Sequence, residues 1–179
     1  MKIDQTITLE DLAGLVAEHL RHEGIESTLV GRAVVWLYAK NDYPSKDLDF
    51  ISPNDHAAII QAMAKIGFKP EGKDFVHKDC PWTVEFPTGP LAIGNENPVK
   101  AEGSFSTKTG VVQLFSPTQC VMDRLAWFYH NNDRQCLDQA LAVAAAHPIK
   151  LEKIKQWSAR EGRSEKYEQF LRKLKILKA

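Results

Sequence analysis

The 179-residue chain has little cysteine, no long hydrophobic run and no excess of charge of either sign. Its three cysteines are an odd number at spacings unlike those of metal sites, so we expect reduced thiols in a cytoplasmic protein. No apolar run approaches the roughly 20 residues of a membrane-spanning helix, and the N-terminus lacks the apolar segment of a signal peptide. We therefore expect no membrane association.

The balance of charge limits the partners to expect. The 23 Lys and Arg residues equal the 23 Asp and Glu residues, so no overall basic field attracts nucleic acid, although a local patch is compatible with the composition. Hydrophobic residues make up 44% of the chain and charged residues 26%, which excludes a disordered, collagen-like or coiled-coil protein. A chain of this length can bury enough surface to form one domain, with or without a helical appendage.

Hydrophobic spacing and turn residues predict mixed helices and strands in residues 1–115 and helices alone in residues 116–179. The fold class that follows is α/β in the broad sense (α+β), with a mixed sheet flanked by helices and a helical C-terminal subdomain. In the first part we expect a helix from Thr8 to Gly24, a strand at 25–30, a helix at 33–39, a chain break at 43–45 and a strand at 47–52. A helix capped by Ser52 and opened by Pro53 follows and ends at Gly67. After it we expect a hairpin of strands 74–77 and 82–86, a long loop at 87–109 with at most an edge strand, and a strand at 111–115. In the second part we expect helices at 116–128, 133–146, 151–160 and 164–177.

Two acidic residues on one predicted strand, Asp47 and Asp49, are the first candidates for a functional site. Because side chains two positions apart leave a strand on the same face, the two carboxylates are expected to lie side by side. Like charges held that close repel, so such a pair is tolerated at a solvent-exposed edge or around a cation. Mg²⁺ suits the second case, since it takes oxygen ligands and keeps positions open for water and substrate phosphates. The pattern by itself leaves both interpretations open.

Three neighbouring features favour the cation site. Gly31 ends the strand before a predicted helix, where backbone N–H groups can face a phosphate. The apolar residues Leu48 and Phe50 indicate that the acidic strand lies inside the sheet and not at its edge. Glu85 lies in a second apolar strand, and a third carboxylate there would complete a two-metal site for phosphoryl transfer.

This arrangement of a glycine turn, an acid-x-acid strand and a third acid in an apolar strand resembles the polymerase-beta-like nucleotidyltransferase superfamily. The most similar branch is the minimal, abortive-infection-type branch of bacterial proteins, which includes toxins of toxin–antitoxin pairs. That branch also has a helical C-terminal part, and the resemblance covers residues 31–146. The residues that carry it are Gly31, Asp47-Leu48-Asp49, Glu85, Ser116-Pro117, Asp123-Arg124-Leu125-Ala126 and the segment from Asp133 to Asp138.

The resemblance implies a nucleotidyltransferase-like core, residues 1–115, and an enzyme that moves a nucleoside monophosphate group from a nucleoside triphosphate to an acceptor hydroxyl. Asp47 and Asp49 would hold two Mg²⁺ ions, and Glu85 would be the third metal ligand. The acceptor stays open between a tRNA, a protein side chain and a small molecule, although zero net charge disfavours a large RNA.

The resemblance also implies nucleotide-binding residues. Gly31 would approach the triphosphate, Arg124 stands where the toxin branch commonly has a lysine near the nucleotide, and Asp138 matches a family acid in the following helix. Position 32 departs from the family, which usually has a small Ser or Gly there. Arg32 either contacts phosphate or blocks the pocket.

Two alternatives remain open at this point. Arg32 supports a protein that keeps the fold without turnover and acts as a binding or regulatory module, as half of a toxin–antitoxin-type pair, with a partner protein or as a homodimer. A metal-dependent phosphohydrolase would also use clustered carboxylates. Such enzymes usually add metal-binding histidines, and no histidine lies close in sequence to the acids.

Other segments carry weaker expectations. The consecutive aromatic residues 127–129 cannot all face one way on a helix, so at least one is expected to point into a cleft between the two parts or towards a partner. His130 is interpreted as a residue that interacts with the helix dipole, with a substrate contact as the alternative. The loop at 87–91 either lines the cleft or forms a dimer contact.

Overall fold

The computed structural model describes residues 2–40 and 45–179, and the predicted chain break at 43–45 falls mostly outside these ranges. The fold is α+β, as the sequence predicts. The helices are α1 (Leu9–His22), α2 (Arg32–Ala39), α3 (His56–Lys65), α4 (Pro117–Asn131), α5 (Arg134–Ala146), α6 (Leu151–Arg160) and α7 (Ser164–Lys178). The strands are β1 (Thr28–Val30), β2 (Asp47–Ile51), β3 (Lys69–Glu71), β4 (Asp74–Val76), β5 (Thr83–Glu85), β6 (Gly103–Ser106) and β7 (Val111–Leu114).

The strands form one mixed sheet in the order β3-β4-β5-β2-β1-β7-β6. β2 pairs with β5 in parallel and with β1 in antiparallel orientation, and β1 pairs with β7 in parallel. The hairpin of β4 and β5 is antiparallel, as predicted, and β6 is an edge strand. β2 therefore lies in the middle of the sheet, which confirms that the acidic strand is an interior one.

One face of the central strands is apolar and closely packed. The register sets Leu29 opposite Phe50 and Leu48 opposite Val84, and all four side chains are buried. Each fully buried side chain of this size contributes about 1.5–3 kcal/mol, so the alternation along β2 strongly favours this register. A slip by one residue would turn the apolar side chains outward and bury the acidic ones. The packing of the apolar face thus determines that the acidic side chains lie on the opposite face.

The helical C-terminal part packs against the core through α2. This helix contacts β1 and β2 of the sheet and also α4 and α5. Within the C-terminal part, the Tyr129 hydroxyl lies 2.8 Å from the Ser158 hydroxyl, and the ring of Tyr129 stacks on Trp157 with centroids 5.4 Å apart. A single hydrophobic cluster includes side chains from both parts of the chain. Among the described residues, no helix combines the length and the apolar character needed to cross a lipid bilayer.

The predicted start of α3 is wrong. The helix begins at His56 with Asp55 as its cap residue, so Ser52 does not cap it and Pro53 does not open it. The Ser52 hydroxyl instead donates to the Glu26 carbonyl at 2.6 Å. The same oxygen accepts from the Asn54 N–H at 3.2 Å, so Ser52 stabilises the segment before the helix and not the helix itself.

One strand escaped the sequence analysis. β3 is exposed along its whole length and has Pro70 at its centre, so neither alternation nor β-propensity indicates it. It lies at the edge of the sheet, where a proline is tolerated because one side of the strand needs no hydrogen-bonded partner.

Gln119, a buried polar residue in the first turn of α4, connects this helix to the chain before β6. Ser116 caps α4 by accepting a hydrogen bond from the Gln119 N–H at 3.3 Å. The side-chain oxygen of Gln119 accepts from the N–H groups of Ser116 at 3.1 Å and Glu102 at 2.8 Å. Its amide nitrogen donates to the Lys100 carbonyl at 2.7 Å. The sequence predicts the cap at Ser116 but not this wider network.

We predict that Gln119→Ala lowers the free energy of unfolding by about 2–3 kcal/mol, because it leaves several backbone groups without their partners. Urea unfolding followed by circular dichroism measures the change. Ser104→Ala, on the exposed side of β6, is the matched control and should change the stability by less than about 0.5 kcal/mol. Equal stability of the two variants would contradict the role given to Gln119.

Candidate functional site

The acidic side chains of β2 and β5 lie on one face of the sheet. The parallel register sets Asp49 opposite Glu85 and Asp47 opposite Thr83. Because residues directly opposite each other have their Cβ atoms about 5 Å apart, Asp49 and Glu85 are side-by-side neighbours. Pairing within the sheet therefore sets the three predicted acids on neighbouring strands, although Glu85 is far from the two aspartates in sequence.

Asp47 is held by a local hydrogen bond, whereas Asp49 is partly buried next to other negative charges. The buried Ser45 hydroxyl lies 3.0 Å from Asp47 Oδ1 and 2.8 Å from the Asp47 carbonyl, so it can donate to either oxygen. Burial of Asp49, together with the negative charges of Asp47 and Glu85, raises the pKa of Asp49 from 3.8 to about 6. Lys73 and Arg124 act in the opposite direction without cancelling the effect. The site thus holds more negative charge than its own cations neutralise.

Gly31 leaves room for Asp49. It precedes α2 with a φ of 76°, a conformation that L-residues with side chains rarely adopt. A Cβ atom at this position would lie 2.7 Å from Asp49 Oδ2, which is closer than van der Waals contact allows. Backbone and carboxylate therefore approach each other at this point, and only glycine permits both the turn and the approach.

Arg124 supplies positive charge from α4, on the wall facing the acids. Its guanidinium is buried and donates to Asp123 Oδ2 from Nε at 3.0 Å and from Nη2 at 2.5 Å. Burial lowers the pKa of Arg124, but the Asp123 carboxylate and the smaller contributions of two nearby thiols raise it, and the net shift is upward, so the group stays charged. Trp127, three residues along the helix, lies on the same side and is 50% exposed.

These elements enclose a cleft of about 410 Å³ between the acidic face of β2 and helix α4. The predicted residues Gly31, Arg32, Asp47, Asp49 and Arg124 all line it. Charged and apolar residues both line the cleft. The apolar part is formed by Val30, Ile51, Pro87, Pro90, Leu91, Ala92, Phe115 and Trp127.

The long loop before β6 closes one side of this cleft. Residues 90–92 line the cleft, so the loop takes the first of the two roles left open by the sequence. The buried Glu161 at the end of α6 anchors the loop by accepting hydrogen bonds from the Asn95 backbone N–H and side-chain amide, both at 2.9 Å. The same carboxylate lies 2.7 Å from His130 Nε2. His130 thus supports the loop anchor and does not line the cleft.

Glu85 is turned towards a lysine. The ammonium of Lys73 forms an ion pair with Glu85 Oε1 and lies 3.7 Å from Asp74 Oδ1. Within residues 2–40 and 45–179, no three His, Cys, Asp or Glu side chains are grouped so that they could hold a metal ion. Of the three predicted acids, Asp47 and Asp49 line the cleft and Glu85 does not.

Asp138 is not brought to the cleft. It is exposed on α5 and is not among the residues that line the cavity, so the structure does not unite it with the other predicted nucleotide-binding residues. Asp123 and the loop at 90–92 line the cleft without having been selected as site residues. Asp123 lies four positions before Trp127, so helical spacing could have identified it only if Trp127 had been chosen among residues 127–129 as the one that faces the cleft.

A larger cavity of about 520 Å³ lies on the surface of α1, away from these residues. His19, His22 and His77 line it, but His19 Nε2 lies 2.7 Å from the Ala62 carbonyl and His22 Nε2 lies 2.9 Å from Glu18 Oε1. These nitrogens serve local contacts. The cleft beside β2 is the better candidate because it combines unneutralised carboxylates with a buried cation.

Comparison of the chain with models of protein families, with curated proteins and with solved structures finds no match. The site is therefore interpreted from its own residues. Chemically, it offers paired carboxylate oxygens for a hard cation on one wall and a guanidinium for an anion on the other, with an apolar surface between the cleft mouth and the loop.

We predict that Asp49→Asn raises the free energy of unfolding at pH 7.5, in the presence of a chelator, by about 1 kcal/mol. The raised pKa means that the charged form of Asp49 is disfavoured in the folded state, and partial solvent exposure reduces the gain from removing it. As the pH falls through 6 towards 4, the folded wild-type protein takes up a proton at Asp49 and the advantage of the variant disappears. Urea unfolding at pH 7.5, 6 and 4.5 measures this trend.

Asp55→Asn serves as the control for this pH series. Asp55 is exposed and its side chain makes no capping hydrogen bond, so its replacement should leave the stability unchanged within about 0.5 kcal/mol at each pH. A stabilisation by Asp49→Asn that does not depend on pH would contradict the explanation by charge repulsion.

Proposed function

We propose that the protein is a metal-dependent nucleotidyltransferase, which moves a nucleoside monophosphate group from a nucleoside triphosphate to an acceptor hydroxyl. The observation that carries the proposal is the opposition, across one cleft, of the Asp47–Asp49 pair and the buried Arg124. This arrangement suits a metal-bound polyphosphate, because the carboxylates can bind its hard cation and the guanidinium can bind its negative oxygens. The resemblance of residues 31–146 to the polymerase-beta-like superfamily gives the proposal its reaction class.

The donor set fits Mg²⁺. Asp47 and Asp49 provide carboxylate oxygens on one face, and burial together with the neighbouring carboxylates raises the pKa of Asp49, an effect that a bound cation would oppose. The lack of a side chain at Gly31 leaves room for the Asp49 carboxylate at the cleft. Asp47 and Asp49 would hold the ion, which would supply charge neutralisation at the phosphate oxygens.

The opposite wall suits the nucleotide. Arg124, held by Asp123, would donate hydrogen bonds to phosphate oxygens from a fixed position. Arg32 lies exposed in the first turn of α2 and would add a second positive charge at the cleft. Trp127 presents an exposed aromatic surface on which a base could stack, and the residues 90–92 face the same cavity.

In the proposed reaction, the acceptor oxygen attacks the α-phosphorus, and the bond from this phosphorus to the oxygen that bridges to the β-phosphorus breaks. Pyrophosphate leaves with that oxygen, and the new phosphoester joins the nucleoside monophosphate to the acceptor. Glu85, the neighbour of Asp49 across the strands, would take the proton of the acceptor hydroxyl at its carboxylate, a role that requires release of its ion pair with Lys73. Most of the catalysis would come from positioning and from charge neutralisation.

A binding or regulatory module without turnover, as in one half of a toxin–antitoxin-type pair, is the second candidate. The pairing of Glu85 with Lys73 favours it, because this contact occupies the carboxylate that would act on the acceptor. The two candidates differ in whether pyrophosphate is released when a hydroxyl acceptor is present.

We predict that a nucleoside triphosphate with Mg²⁺ raises the melting temperature of the protein and that neither component alone has the same effect. At a hundredfold excess over Kd the stabilisation is about 2.7 kcal/mol, which a thermal-shift assay with each of the four ribonucleotides detects readily. Asp47→Asn should abolish the Mg²⁺-dependent shift, because it removes one of the two β2 carboxylates that line the cleft.

The matched control is again Asp55→Asn, which removes one exposed carboxylate outside the cleft and should keep the full shift. A wild-type protein that shows no shift with any nucleotide would refute the nucleotidyltransferase proposal. A shift of equal size without Mg²⁺ would refute the metal-dependent form of it.

A separate prediction concerns Arg32, for which the sequence leaves contact and obstruction open. We expect Arg32→Ser to weaken nucleotide binding about fivefold to tenfold, since one positive charge near the phosphates is lost. Stability should be unchanged, because the side chain is exposed. Isothermal titration measures the affinity, with Arg172→Ser on the exposed side of α7 as the control. Tighter binding by Arg32→Ser would show that the arginine obstructs the cleft.

A further inference from the structure

We infer that the ammonium group of Lys73 takes the place of one divalent cation beside Glu85, so that the acidic face binds one metal ion fewer than its carboxylates would otherwise hold. The inference deepens the proposed function, on which it rests for the identity of the metal-binding face. It departs from the two-metal arrangement that the resemblance implies, and it makes Lys73 a residue that sets the number of ions.

The register of three strands brings the relevant charges into one row. Asp49 on β2 lies opposite Glu85 on β5, and Glu85 lies opposite Asp74 on β4. Lys73 directly precedes β4, in the turn after β3, and its side chain returns over this row to pair with Glu85 Oε1. Its ammonium also lies 3.7 Å from Asp74 Oδ1. One cation therefore bridges two of the three aligned carboxylates.

Burial distinguishes this contact from an ordinary surface ion pair. The Glu85 side chain is 13% exposed, whereas that of Lys73 is 75% exposed. The carboxylate is thus held within the protein, and the lysine reaches it from the solvent side. When its partner is removed, a poorly hydrated carboxylate is expected to bind another cation more strongly than a fully exposed carboxylate does.

The charges around Glu85 explain why an ammonium would compete with a metal. A divalent ion at Glu85 would have to displace Lys73 or lie beside its positive charge, and both alternatives weaken its binding. The cleft side is different, since Asp47 and Asp49 line the cavity and neither is hydrogen-bonded to a lysine. The same face thus offers one open pair of carboxylates and one carboxylate that already carries its cation.

The test counts Mn²⁺ ions bound to the protein without nucleotide, by electron paramagnetic resonance of the free ion during titration. We expect Lys73→Met to bind one Mn²⁺ more than the wild-type protein, or to bind the same ion about tenfold more tightly. Lys69→Met removes an equal charge from the exposed strand β3 of the same hairpin and should behave like the wild-type protein. The double variant Lys73→Met, Glu85→Gln should lose the gain. Circular dichroism melts verify that each variant is folded.

The outcomes separate this inference from the proposed function. A wild-type protein that already binds two Mn²⁺ ions, or a Lys73→Met protein that matches Lys69→Met, would overturn the role of Lys73. A gain in Lys73→Met that depends on Glu85 supports the inference even where the wild-type protein shows no thermal shift with any nucleotide. In that case the nucleotidyltransferase proposal fails while the role of Lys73 stands.

Discussion

The parallel pairing of β2 with β5 is the contact on which the rest of the site depends. It sets Asp49 opposite Glu85, although the two residues are far apart in sequence. It also places β2, the strand of Asp49, in the middle of the sheet. The pairing is held in register by the apolar side chains on the opposite face, where Leu48 meets Val84. Because strand side chains alternate strictly, packing that is optimal on one face determines which charged groups meet on the other.

The closely spaced carboxylates lower the stability of the folded protein, and nearby cations offset part of this loss. Like charges and burial raise the pKa of Asp49, which means that the ionised site is strained at neutral pH. Lys73 neutralises Glu85 from the solvent side, and Arg124 contributes positive charge from α4. A carboxylate cluster retained despite such repulsion is typical of a site that serves binding or chemistry, because a purely structural position would be more stable with an amide. The helical C-terminal part also contributes to the cleft, since residues of α4 line it and Glu161 anchors the loop beside it.

Sequence analysis succeeded wherever the signal was local. The acid-x-acid spacing correctly placed Asp47 and Asp49 on one face of a strand, and the Ser-Pro pair at 116–117 correctly marked the start of α4. The prediction failed at Ser52, whose hydroxyl bonds to the Glu26 carbonyl, a partner distant in sequence, while α3 begins at His56. It also failed at β3, where an exposed strand with a proline carries no periodic pattern.

By itself, the sequence determined the fold class, the acidic strand and the glycine turn before α2, because alternation, helix caps and turn residues act over a few positions of the chain. Only the tertiary structure decided that Glu85 pairs with Lys73, that Asp123 holds Arg124 at the cleft, and that Asp138 lies outside it. These contacts depend on strand order, register and the packing of α4 against the core. Such features arise from the joint burial of residues far apart in sequence, and no short pattern in the chain encodes them.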